Sequence, residues 1–439
     1  MYQKHILANG LRLVTVPMKS TKAVTVLVLV GAGSNYETKE INGISHFLEH
    51  MFFKGTKKRP NTLAIAETLD RVGGQYNAFT GREYTGYWAK VDSKHSDLAL
   101  DWVSDIFLNS KLEPQEIERE RGVIIEEINM YLDTPIEYIS DLWEELLYGN
   151  QPAGWPVIGK KKVIAKIKRE NFINYLNEHY LAKNTVVIVA GDAEKIKEFQ
   201  PKACLPARQA GPPRAEKVES YFASIKLGKL KPKREVIEKQ KKPGILVHYK
   251  KTDQTHFYLG VRAYNISDER KYALGLLAVI LGGNMSSRLW IRVREREGLA
   301  YYISTSADTY TDYGYLATRA GVDNSRVEKA IEIILNEYKK IAQEKISEAE
   351  LQKAKDYIKG NTVLGLESSD ATASFVGMQE VLTNKILTAE EKFAKIESVT
   401  IDDVYKVAND IFKPEKLNLA LIGPFKNKNK FQKILNSKF

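Results

Sequence analysis

The sequence predicts an α+β fold made of two similar domains. Three observations lead there: the chain is long, helical and strand-like stretches are interspersed along it, and the same succession of them occurs twice. At 439 residues it exceeds what a single hydrophobic core usually supports. An apolar fraction of 43% and a charged fraction of 28% are those of an ordinary globular protein. Interspersed helices and strands point to mixed layers, and repetition of the whole pattern points to duplication.

The first half opens on AVTVLVLVGAG (23–33), a valine-rich run that reads as a buried strand. A helix follows around 42–54, with Asn42 as its N-cap and Gly55 as its stop, and a second lies near 61–72. After a Gly-Gly pair, QYNAFTGREYTGYWAKV (75–91) mixes aromatics and threonines in the manner of paired strands. The second half repeats this as QTHFYLGVRAY (254–264), a helical YALGLLAVILGG (272–283), SSRLWIRVREREG (286–298) and a second strand pair at 299–322. Each half continues into long helical segments and closes on a strand, NTVVIVAGD (184–192) in one and LNLALIGP (417–424) in the other. The expected organisation is two homologous α/β-sandwich domains, 1–200 and 244–439, joined by a basic, proline-containing linker at 201–243.

The linker also explains the charge. Of a formal +11, residues 201–243 carry +8, from twelve Lys and Arg against four acids, along with six of the fourteen prolines. Basic residues gathered in a connector, without aromatics placed among them to stack bases, argue against nucleic-acid binding. One cysteine, Cys204, excludes an intramolecular disulfide. No apolar run approaches the roughly 20 residues that span a bilayer. The N-terminus also lacks a basic region followed by an apolar core and a cleavage site. The expectation is a soluble cytoplasmic protein with no membrane partner.

Chemistry is concentrated in HFLEH (46–50). At 100° per residue, His46, Glu49 and His50 fall within one arc of about 100° on the helix. An i, i+4 histidine pair is a spacing that one zinc ion can bridge. The alternative is a buried helix holding two hydrogen-bonded imidazoles. The glutamate one residue before the second histidine favours the metal, because a carboxylate there can reach a water on the ion and act as general base. Catalytic zinc normally takes three protein ligands, so a carboxylate on another helix is expected. PQEIERERGVIIEEINMY (114–131) carries an apolar stripe of Ile117, Ile124, Ile125 and Ile128. Glu120 and Glu127, seven apart, lie together on one flank of that stripe, while Glu126 points away from it.

The inverted His-x-x-Glu-His motif resembles the inverzincins. More narrowly, the chain resembles the pitrilysin/insulinase family along nearly its whole length, in the short-chain branch similar to mitochondrial processing peptidase. That resemblance implies a zinc-dependent endopeptidase with one zinc per chain, held by His46, His50 and Glu127. It implies Glu49 as general base and Glu120 as an orienting carboxylate behind the ligands. Asn77 and Ala78 match a strand that pairs with the substrate backbone; a plain hairpin fits their pattern equally. In VREREGLAY, Arg294 and Tyr301 match a pair that grips the substrate carbonyl. The second half has no counterpart of HFLEH. The resemblance further implies a homodimeric clamshell acting on peptides or unfolded segments. The rival expectation is a non-catalytic partner subunit of the same fold, which a lost ligand would mark; none is lost. Relatives often carry histidine near Gln151, a departure with no assigned catalytic consequence.

Overall fold

The computed structural model describes residues 2–200 and 215–438. Cys204 and the first part of the linker lie outside the described residues. The chain divides into two compact units, each a mixed helix–sheet–helix sandwich. The first comprises Met1–Ile128, Pro156–Arg234 and Thr362–Thr388; the second comprises Asn129–Trp155, Glu235–Asn361 and Ala389–Phe439.

The first unit contains strands β1 (Gln3–Ile6), β2 (Arg12–Met18), β3 (Ala23–Val30), β4 (Gln75–Thr80), β5 (Thr85–Asp92) and β6 (Thr185–Asp192). They form one sheet in the order β1-β2-β6-β3-β5-β4. Only the β2–β6 pair is parallel. β3 and β6 are buried along nearly their full length, so they read as continuous apolar runs rather than alternating ones. The second unit has β7 (Gly244–Tyr249), β8 (Gln254–Arg262), β9 (Ala300–Thr309), β10 (Gly314–Asp323) and β11 (Leu417–Gly423), ordered β7-β11-β8-β10-β9. Again only the first pair is parallel. Five strands therefore repeat in both chain order and sheet order, the expected mark of duplication.

Helices of the first half include α1 (Ile44–Met51), α2 (Thr62–Asp70), α3 (Ser96–Asn109), α4 (Pro114–Asp133) and α5 (Pro135–Tyr148). The units do not follow the 1–200 and 244–439 division. Each sheet has one face covered by a helix from the other half of the sequence. In the first unit, Ala373 and Val376 of the helix Ser369–Thr383 pack on Leu27, Leu29, Val186 and Ile188. The approach is close: a Cβ on Gly377 would meet Leu29 Cδ1 at 2.6 Å and Ile188 Cδ1 at 2.8 Å, so a larger residue there would have to displace those methyls. In the second, Ile139, Leu142, Trp143 and Leu147 of α5 pack on Tyr315, Ala317, Ala420 and Ile422. An apolar stripe states that a helix must cover a sheet; it does not state which of two similar sheets.

The linker is also more structured than a solvated connector. Residues Ala215–Phe222 form a helix whose Val218 and Phe222 are fully buried, with Phe222 against Phe107 at 6.3 Å between ring centroids. Farther on, Lys233 reaches the buried Glu83 at 2.8 Å. Gln151, in the second unit, exchanges hydrogen bonds with the backbone of Ile237, accepting at 2.8 Å and donating at 3.0 Å. No described helix is long and apolar enough to cross a membrane.

Candidate metal centre

Helix α1 has only two turns, and its rotation is fixed from below. Ile44, Phe47, Leu48 and Met51 are fully buried. That leaves His46, Glu49 and His50 on the opposite, partly exposed side. Helix α4 is fixed likewise, by buried Ile117, Ile124 and Ile128. Glu120 is buried, Glu127 half-buried and Glu126 exposed, as helical phase predicts.

These two helices bring three donors together. His46 Nε2 lies 3.7 Å from Glu127 Oε1, and His50 Nε2 lies 3.6 Å from Glu127 Oε2. The imidazole rings are 4.7 Å apart between centroids. Donor atoms of His46, His50 and Glu127 lie within 4.8 Å of one another, the single such group among the described residues. Separations of 3.6 and 3.7 Å are too long for hydrogen bonds. They do suit ligands sharing one ion: zinc–ligand bonds of about 2.0–2.1 Å at tetrahedral angles put neighbouring ligand atoms about 3.3 Å apart. The residues therefore fit a zinc ion as three protein ligands with a further position open.

The surroundings prepare both histidines for that task. His50 Nδ1 bonds Glu120 Oε1 at 2.8 Å, which sets the tautomer and leaves Nε2 with its lone pair free. Lys54 Nζ holds the other oxygen of Glu120 at 2.5 Å. Burial opposes charge on Glu120, but bonds from His50 and Lys54 outweigh it and hold its carboxyl below the usual range. Burial, with the adjacent His50, pushes His46 down to about 3, so it is a neutral donor at ordinary pH. Burial also raises the Glu127 carboxyl, aided by Glu120 and opposed by His50. Lys54 compensates Glu120, while the raised Glu127 carboxyl beside the two imidazoles is the group whose charge a divalent ion would favour.

Glu49 lies on the same side of α1 as His46 and His50, and its Oε2 accepts a hydrogen bond from Thr80 Oγ1 at 2.5 Å. Burial raises its carboxyl above the usual range, Thr80 and His50 pulling the other way. Thr80 ends β4, the strand that carries Asn77 and Ala78. β4 pairs only with β5 among the described strands, so its outer edge is open. Ala78 N–H donates to the Asn77 side chain at 2.9 Å.

Sequence reasoning missed Thr80 and Lys54, although both leave a signal. Thr80 follows Ala78 by two positions on a strand, hence shares its face, and Lys54 stands four residues after His50. The helix start was misplaced by one residue: the N-cap position is Gly43, at φ +96°, and Asn42 donates its side-chain amide to Glu37 and Pro156 O. Arg294 and Tyr301 lie in the second unit. The Arg294 guanidinium stacks over Trp290, 4.2 Å from the ring centroid. Tyr301 is 76% exposed at the start of β9. A cleft of about 590 Å³ within that unit is lined by Trp290 and Tyr301 together with His256, Tyr302 and Arg319.

Comparison with known proteins bears on this arrangement. A family model described as insulinase (peptidase family M16) matches residues 12–161, and one described as the peptidase M16 inactive domain matches residues 214–358. The uncharacterised zinc protease YmxG of Bacillus subtilis is 35% identical over 430 residues, covering 97% of this chain and 99% of that protein. An uncharacterised zinc protease of Streptomyces coelicolor is 34% identical, with 96% and 89% covered. Among solved structures, a protease from Helicobacter pylori superposes with a TM-score of 0.85 at 24% identity, over 97% of this chain and 99% of that one.

Proposed function

Because this chain belongs to the insulinase family of peptidases, family M16, we propose that it is a zinc-dependent endopeptidase acting on peptides or unfolded polypeptide segments. The observation that carries the proposal is the convergence of His46, His50 and Glu127 within 4.8 Å, with the Glu49 carboxylate, held by Thr80, beside them. Relatives named as zinc proteases support the same reading.

In this reading His46, His50 and Glu127 hold the zinc, and Glu120 orients His50. Zinc, when bound, supplies a Lewis acid that polarises a carbonyl and acidifies water. Glu49 accepts the proton of the attacking water and returns it to the leaving amine. Substrate lies as an added strand along the open edge of β4, next to Asn77 and Ala78, which demands an extended backbone and so excludes folded chains. Arg294 and Tyr301 steady the carbonyl oxygen as charge develops, and the chain works as a homodimer with one zinc per subunit. The purified protein should contain about one zinc per chain and cleave a quenched peptide. A chelator should abolish cleavage and added zinc restore it. Zinc-loaded protein inert toward a broad peptide library, or metal-free protein that cleaves at the same rate, would sink the proposal.

The second unit provides its own test. Arg294→Ala and Tyr301→Phe should each slow peptide cleavage by up to roughly 10²-fold, the scale of removing one donor to a developing oxyanion. Zinc content and thermal midpoint should stay near wild type, since Tyr301 is an exposed residue of the cleft and Arg294 stacks on Trp290 at its lining rather than in a core. Unchanged rates in both variants would remove these residues from the mechanism.

A further inference from the structure

Helix α1 starts without a local cap. Its N-cap residue is Gly43, which has no side chain to accept from the first turn. The acceptor comes instead from six residues upstream. Glu37 Oε2 takes the Gly43 N–H at 2.7 Å and the Asn42 side-chain amide at 2.9 Å, while Oε1 takes the Ser45 N–H at 2.9 Å. One carboxylate thus spans the start of the helix, two oxygens on two backbone donors. Ser45 is tied in turn to Tyr175 OH at 2.8 Å. The backbone of the 156–159 segment closes the same node: Asn42 donates to Pro156 O, and a Cβ on Gly43 would meet Ile158 O at 2.6 Å.

We infer that Glu37 is a positioning residue for the metal centre, fixing the N-terminus of α1 so that His46 meets Glu127. The leverage follows from length. His46 is the third residue of an eight-residue helix and adjoins Ser45, whose N–H Glu37 holds. His50, one turn further on, is secured separately by Glu120. No hydrogen bond secures the buried Nδ1 of His46, so its placement depends on the backbone beneath it. Glu37 is 3% exposed, and burial pushes its carboxyl up to about 7 although the bonds from Ser45, Gly43 and Asn42 pull it down. Both oxygens accept from N–H donors, the pattern of a carboxylate, and burying one carries a desolvation cost that a Ser or Asn cap at the adjacent position would avoid. It also lies where the helix dipole favours negative charge.

The inference rests on the assignment of His46 and His50 as zinc ligands, and its test separates the two. In the full-length protein, Glu37→Gln keeps the shape but turns an amide NH₂ toward a backbone N–H, while Glu37→Asp keeps the charge but cannot span both donors. Zinc affinity is read by competition with a chromophoric chelator, beside kcat and KM for a quenched peptide and the thermal midpoint of the metal-free protein. Val404→Ala, a buried change in the second unit, serves as a control for general destabilisation. Both Glu37 variants should bind zinc roughly 10- to 100-fold more weakly, the range for residues that orient ligands, and lose kcat with little change in KM. Val404→Ala should keep wild-type zinc affinity at a comparable fall in midpoint. Wild-type affinity in either folded Glu37 variant, or an equal loss in Val404→Ala, would overturn the inference. A wild-type protein that binds no zinc would instead refute the ligand assignment itself.

Discussion

Glu49→Gln should leave zinc content unchanged and lower peptide cleavage by about 10²- to 10⁴-fold, the usual contribution of a positioned general base. The substitution is nearly isosteric, and the group it alters makes a single hydrogen bond, accepted from Thr80 Oγ1. Glutamine can accept that bond through its amide oxygen, so β4 and α1 should stay where they are. What glutamine cannot do is take a proton from water. The proposed ligands His46, His50 and Glu127 are untouched, and metal analysis of the variant confirms whether the site is intact. Full turnover by a zinc-loaded Glu49→Gln protein would place the base elsewhere. Loss of zinc along with activity would instead show that Glu49 belongs to the ligand set.

A second consequence concerns how the effect is expressed. A base used only after substrate is bound should reduce kcat and kcat/KM together, leaving KM close to its wild-type value. If KM rose while kcat held, Glu49 would be acting on substrate binding, and the neighbouring edge strand would be the part disturbed.

Much of this centre was legible in the sequence because it depends on local periodicity. Helical phase alone separates His46, Glu49 and His50 from the buried face of α1, and Glu120 and Glu127 from Glu126 on α4. The choice of Glu127 required more, since residues 77 apart on two helices must meet; there the family resemblance supplied the partner, and the geometry brings the atoms together. Three features were not legible for a shared reason: each is a pairing between distant segments that leaves no periodic trace. One is the strand order, in which β6 lies between β2 and β3. Another is the covering of each sheet by a helix from the other half, since the stripes of α5 and of Ser369–Thr383 fit any apolar sheet face. The third is the cap on α1, assigned to Asn42 by proximity but made by Glu37 through a chain reversal. Composition misread the linker in a different way. Val218 and Phe222 are two buried anchors in a basic stretch, and average charge does not reveal them.

Adjacent and chemically identical, Glu126 and Glu127 allow the sharpest test of the ligand set. Glu127→Gln should weaken zinc binding by more than the roughly 10- to 100-fold that loss of an orienting partner costs, because a ligand itself is replaced by a neutral, poorer donor. Glu126→Gln should change it by less than about twofold, as expected of an exposed position whose substitutions stay within about ±0.5 kcal/mol. The contrast comes from one step of 100° along α4: Glu127 lies 3.7 and 3.6 Å from the two imidazoles, whereas Glu126 is on the solvent side. Metal-free stability provides the internal control. Burial disfavours the charged Glu127 carboxyl, so a neutral amide there should not lower the thermal midpoint of the apo protein. A fall in zinc affinity without a fall in apo stability would thus be specific to the metal. Equal effects at the two positions would mean the third ligand is not on α4, and the reverse order would mean that α4 sits about one residue out of register against α1.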